Sequence, residues 1–180
     1  MNPAKVANGP SLAEQVSDAL DRPLAARGFE LVTCQWLARS KTVRLSIDHR
    51  PERAAELGHD PARSAITLDD CQAVSQFASQ SLSALPALAA NDDWQLEVSS
   101  PGVERPLVRP RDFVRFQGQP VRIRLQRGAV VKASPGRLDV GPHDGELLAA
   151  DAGGATVRLA RGDVYIAFDD IERAQLRPTF

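Results

Sequence analysis

Arginine is the residue type through which this chain could do chemistry. Between residues 101 and 137 there are nine basic residues (Arg105, Arg109, Arg111, Arg115, Arg122, Arg124, Arg127, Lys132 and Arg137) against two acidic ones, Glu104 and Asp112. Guanidinium groups hold phosphates through charge-assisted, often bidentate hydrogen bonds that need no base sequence. In Val121-Arg122-Ile123-Arg124-Leu125, strand alternation buries the aliphatic residues and puts Arg122 and Arg124 on one outward face. With Arg105, Arg109, Arg111 and Arg115 just upstream, these six form the candidate stripe for a polyanion. Only Phe113 and Phe116 interleave with it, at a spacing that suits plugging a core better than stacking bases.

Other chemistries find little support. The chain has no phosphate-binding glycine loop, no dinucleotide fingerprint, no His-Glu-x-x-His and no Gly-x-Ser-x-Gly. Ser99 and Ser100 stand at a strand end beside a turn, but with no histidine near them a backbone-bonding role is the simpler reading. His49, His59 and His143 fall in expected loops and Cys34 and Cys71 in expected core positions, so a four-ligand zinc site is not expected. The pairs Asp69/Asp70 and Asp169/Asp170 read as the starts of a helix and a turn rather than as acid/base dyads. No catalytic residue, cofactor or metal is assigned.

Charge and composition bound the class. The net charge of −1 divides unevenly: residues 1–100 hold 9 Lys/Arg and 13 Asp/Glu, whereas residues 101–180 hold 13 and 10. A dipolar surface of this kind offers one face to polyanions and another to a basic partner. At 43% hydrophobic content, 180 residues can build one domain or two small ones. No apolar run approaches the ~18 residues of a membrane span, and the first residues carry no secretory or transit pattern. Two cysteines without tight spacing fit a reducing compartment. A cytoplasmic location and a monomer are the expectations.

The elements that must position the arginines emerge from periodicity. Residues 1–10 read as a loose tail. Ser11-x-x-Glu14 is a capping box opening a helix whose stripe is Leu12, Val16, Ala19, Leu20 and Leu24, kinked near Pro23 and stopped at Gly28. Phe29 to Leu37 and Thr42 to Asp48 read as a hairpin around residues 38–41. Residues 50–65 read as a long loop or insertion. Thr67 caps a second helix with Leu68, Cys71, Val74, Phe77, Ala78, Leu82 and Leu85 as its apolar face, ended by Pro86. A strand then runs from Trp94 to Ser99. The first domain, residues 11–102, therefore reads α-β-β-α-β, with two helices on one face of a small sheet.

Pro101, Gly102, Pro106 and Pro110 punctuate the next stretch, so residues 103–110 read as a short, stiff linker with those four as an inter-domain hinge. Residues 111–180 hold five short apolar alternations, at 120–125, 146–150, 155–159, 164–168 and 173–176, separated by turn signals. That spacing predicts a small all-β barrel, with 126–144 as its longest loop. The fold class is α+β.

Several of these segments together carry a resemblance. Leu96-Glu-Val-Ser-Ser-Pro-Gly-Val-Glu-Arg-Pro-Leu107 resembles the signature of the ribosome maturation factor RimP family. Upstream, Ile66-Thr-Leu-Asp-Asp-Cys-Gln resembles the start of that family's second helix. The stretches beginning at Phe113 and Ile166 resemble its C-terminal domain, so the similarity spans residues 11–178. Residues 50–65 depart from the pattern, which is short and glycine-rich there. The resemblance implies an SH3-like barrel for the second domain. It also implies a non-catalytic assembly factor that binds the free small ribosomal subunit, through ribosomal RNA and a basic small-subunit ribosomal protein. The competing class is a protein–protein adaptor whose barrel binds a peptide; Tyr165 and Phe168 are the only aromatics in the later strands to line its groove.

Overall fold

A computed structural model describes residues 10–57, 65–90, 93–129, 131 and 138–178. The chain divides into two compact units, Met1–Ser100 and Pro101–Phe180. Except for Pro10, the tail expected at 1–10 lies outside the described residues.

In the first unit, helix α1 (Leu12–Ala25) begins on the expected capping box: Ser11 Oγ accepts from the Glu14 amide while Glu14 reaches back to the Ser11 amide at 2.7 Å. Pro23 is tolerated inside the last turn, and Gly28 follows at φ +81°, where only glycine is unstrained. Strands β1 (Phe29–Leu37) and β2 (Thr42–His49) pair antiparallel. β1 does not alternate simply. The register shifts between Leu31 and Thr33, so Val32 is an extra residue. This bulge lets Phe29 and Leu31 before it, and Cys34 and Trp36 after it, join the same core.

Residues 51–57, expected to be loop, form a short helix, α2 (Pro51–Leu57), with proline at its first position; residues 58–64 lie outside the described set. The sequence hides α2 because it buries no residue and so has no apolar stripe. Helix α3 (Leu68–Ser83) starts on a second capping box between Thr67 and Asp70, and a four-residue helix, α4 (Pro86–Ala89), starts where Pro86 stops α3. Leu68 does not join the apolar face as expected. At the first helical position it points outward, 87% exposed. β3 (Gln95–Ser99) then lies parallel to β2, giving the order β1-β2-β3. Val43, Leu45 and Ile47 of β2 are fully buried with Leu20 and Leu24 of α1 and Ala78 and Leu82 of α3.

The second unit opens on helix α5 (Pro110–Arg115) and continues with β4 (Pro120–Leu125), β5 (Pro142–Ala150), β6 (Gly154–Leu159), β7 (Gly162–Ala167), a 3₁₀ turn at Phe168–Asp170 and β8 (Ile171–Leu176). These strands form one antiparallel sheet in the order β7-β6-β5-β4-β8. Val121, Ile123, Leu147, Val157 and Ile166 are fully buried together, with Phe113 of α5 against them. β5 begins four residues earlier than expected. Gly145 faces Val121 across the ladder and extends the strand back to Pro142, which removes His143 from the expected loop.

Residues 103–110 are not a linker, which corrects the reading of their prolines. Leu107 donates its amide to the Ala174 carbonyl at 2.9 Å, Leu176 donates to the Arg105 carbonyl at 2.9 Å, and Pro106 bridges to Gln175. Leu107 is buried in the second core and Pro110 opens α5. Pro106 and Pro110 are thus built into the second unit and cannot act as hinge residues. Prolines break a ladder from within, but they are allowed on the outside of an edge strand and at the first turn of a helix.

Two outcomes test this packing. A Cβ on Gly145 would lie 2.5 Å from the Arg158 carbonyl oxygen and 2.7 Å from Val157 Cγ1, so Gly145→Ala is expected to lower unfolding free energy by about 1–3 kcal/mol, read as a shifted urea midpoint. In the α3 cap, burial alone would raise the Asp70 carboxyl. The hydrogen bonds from Thr67, with His49 and Arg53 nearby, outweigh it and hold the group below its ordinary value. A lowered folded value stabilises above the unfolded carboxylate range and fades as pH falls through the folded value. Asp70→Asn should therefore cost about 1 kcal/mol at neutral pH, with the deficit shrinking on acidification to about pH 3; an equal deficit at both would contradict the cap's ionisation.

Candidate nucleic-acid interface

The six candidate arginines do not form one stripe. Arg105 is buried, with Nη2 at 3.4 Å from Asp112 Oδ1 and Nη1 donating to its neighbour Pro106's carbonyl at 3.1 Å. The other Asp112 oxygen accepts from the amides of Val108 and Arg109, both at 2.9 Å. Arg105 is a structural residue, which corrects its assignment as a phosphate ligand. The reason is local: Asp112 lies two residues into α5, where its carboxylate meets the helix-start amides and draws the guanidinium in. Arg105 and Arg115 both lie over the Phe116 ring, at 4.9 and 5.0 Å from its centroid, so Phe116 supports arginines rather than bases. Arg109 is half-buried at the N-cap of α5, Arg111 is exposed and Arg115 is half-buried in its last turn.

Arg122 and Arg124 do share the outward face of β4, but that face is not bare. Arg122 makes a two-point contact with Asp144 of β5, Nε to Oδ1 at 2.7 Å and Nη2 to Oδ2 at 2.8 Å. Arg177 approaches the same Asp144 oxygen at 3.6 Å and Glu104 at 3.8 Å. Arg124 pairs with Glu172 at 3.0 Å, and Arg158 lies between Glu146 and Asp163 at 3.4 and 3.2 Å. Among the described residues, four arginines thus meet five carboxylates on the outer face of this sheet and, through Arg177 and Glu104, in the segments beside it. The hydrogen bonds from Arg122, followed by the charges of Arg122 and Arg177, hold the Asp144 carboxyl below its ordinary value despite some desolvation. Counting charges along 101–137 misses this because Asp144 and Glu172 are distant in sequence and become neighbours only through the β4–β5 and β4–β8 registers.

The peptide groove fares less well. Tyr165 is 50% exposed and donates to Asp151 at 3.0 Å, whereas Phe168 packs on Phe113 with centroids 5.0 Å apart and belongs to the core. A single outward aromatic does not line a groove.

Residues 19–104 match a family model from the ribosome maturation factors, described as the RimP N-terminal domain. The first unit thus carries a match to the RimP N-terminal domain, and this match supports the RimP family. The match runs from Ala19 in α1 to Glu104, through every strand of the first unit, and the family is one of maturation factors rather than of enzymes. Among the described residues, no helix is long and apolar enough to cross a membrane.

The buried ion pair gives a direct test of the Arg105 correction. Asp112→Asn leaves a buried guanidinium facing a neutral amide and should cost about 3 kcal/mol in urea unfolding. If Arg105 were instead a solvated ligand, the loss would stay below about 1 kcal/mol.

Proposed function

We propose that this chain is a RimP-family, non-catalytic assembly factor that binds the free small ribosomal subunit and promotes its maturation. The family match over residues 19–104 is the observation that carries the reading. The second unit serves it as an SH3-like barrel. Five antiparallel strands around one apolar core, with a 3₁₀ turn before the last, support that description. Ribosomal RNA meets the accessible arginines of this unit, Arg122 and Arg124 on β4 together with Arg111 and Arg115 of α5 and Arg109 at its N-cap. A basic small-subunit ribosomal protein meets carboxylate-bearing surface, as the excess of acidic over basic residues in 1–100 favours. The protein acts as a cytoplasmic monomer without a cofactor.

Co-sedimentation with free small subunits, with mature ribosomes as comparison and across a salt series, tests this reading. Saturable binding to free subunits that weakens with salt is the expected result, and absence of binding to either particle at low salt overturns it. In the same assay, reversing Arg122 and Arg124 to glutamate should weaken binding and lower the log–log salt slope by roughly 2. Unchanged binding would remove β4 from the interface.

A further inference from the structure

We infer that Asp144 occupies a preformed oxyanion site between Arg122 and Arg177, standing where an RNA phosphate sits in the bound state, so that the carboxylate acts as a built-in competitor. The inference rests on the small-subunit reading above.

Arg122 presents its Nε and Nη2 edge to both oxygens of Asp144 at 2.7 and 2.8 Å, the fork that recognises a carboxylate or a phosphate in the same way. Arg177, beyond the end of β8, approaches Asp144 Oδ1 at 3.6 Å through its own Nε. Two guanidiniums from separate segments converge on a single oxyanion. All three side chains are accessible, at 35%, 51% and 40% for Arg122, Asp144 and Arg177. An incoming phosphodiester can therefore reach the arginines without unfolding the sheet.

Displacement is also cheap. Exposed ion pairs contribute little net stability, because water solvates each partner almost as well when they separate. A phosphate contact, by contrast, releases a condensed counterion from the nucleic acid. Glu104, 3.8 Å from Arg177, is the other carboxylate on this pair and remains as a partial brake.

The consequence runs against intuition for a paired surface residue: removing the carboxylate tightens binding. Asp144→Asn keeps the shape and leaves both arginines in place. It should bind free small subunits about five-fold more tightly than wild type, with a steeper salt slope. Asp163→Asn makes the same change in net charge on the same sheet, beside Arg158, and controls for bulk charge; its gain should be smaller. Adding Arg122→Gln to Asp144→Asn should abolish the extra gain, a double-mutant test of the pair. Urea midpoints for each variant report whether the fold is kept. Equal gains for the two asparagine variants, or weaker binding by a folded Asp144→Asn, overturn the inference while the assembly-factor reading stands. Failure of wild type itself to bind subunits overturns that reading instead.

Discussion

One buried carboxylate sets where the second unit begins. Asp112 is almost wholly enclosed, yet it holds a guanidinium with one oxygen and two backbone amides with the other. A charge so enclosed is tolerable only when its hydrogen-bonding capacity is met, and three donors from residues 105, 108 and 109 meet it. Those donors lie in an otherwise irregular stretch containing two prolines, which has few ladder bonds of its own. Once Asp112 gathers them, the carbonyl of Arg105 and the amide of Leu107 are set opposite β8, and Leu107 enters the core. The outer edge of β8 is covered as a result, a device that also blunts unwanted strand pairing.

Much of this is legible in the sequence. The Ser11 capping box, the Thr67 cap, the hairpin around Lys41, the order α-β-β-α-β and the cores of the five later strands arise from patterns within single segments. The failures share a cause. α2 and α5 are short, start with proline and lack an apolar stripe, so local pattern reads them as loop. Val32 breaks the alternation of β1, and only the ladder to β2 reveals that the extra residue restores the core phase. Arg105-Pro106 looks like a linker because proline marks irregular backbone, and the bonds that make it an edge come from residues some 70 positions later.

The arginines show the same limit in charge rather than in shape. Linear counting sees Arg122 and Arg124 in a basic segment, and that count is right. It cannot see that antiparallel pairing sets β4 between two strands carrying carboxylates, Asp144 at 22 residues' separation and Glu172 beside Arg173 on β8. Net charge in a window therefore predicts attraction at long range. What a ligand meets on contact is set by register.

The distinction bears on what a maturation factor needs. A surface of bare arginines would hold any polyanion, including finished ribosomes and free RNA, because phosphate attraction is indifferent to sequence. A surface whose arginines are each matched by an exposed carboxylate holds polyanions weakly. On the proposed reading, binding is favoured only where several phosphates arrive together in a geometry that displaces the carboxylates at once. Each exchange is close to neutral, so the total depends on how many occur and falls sharply when the RNA is rearranged. Surface ion pairs contribute little to stability, and that same weakness makes them suitable components of reversible, shape-dependent RNA contact.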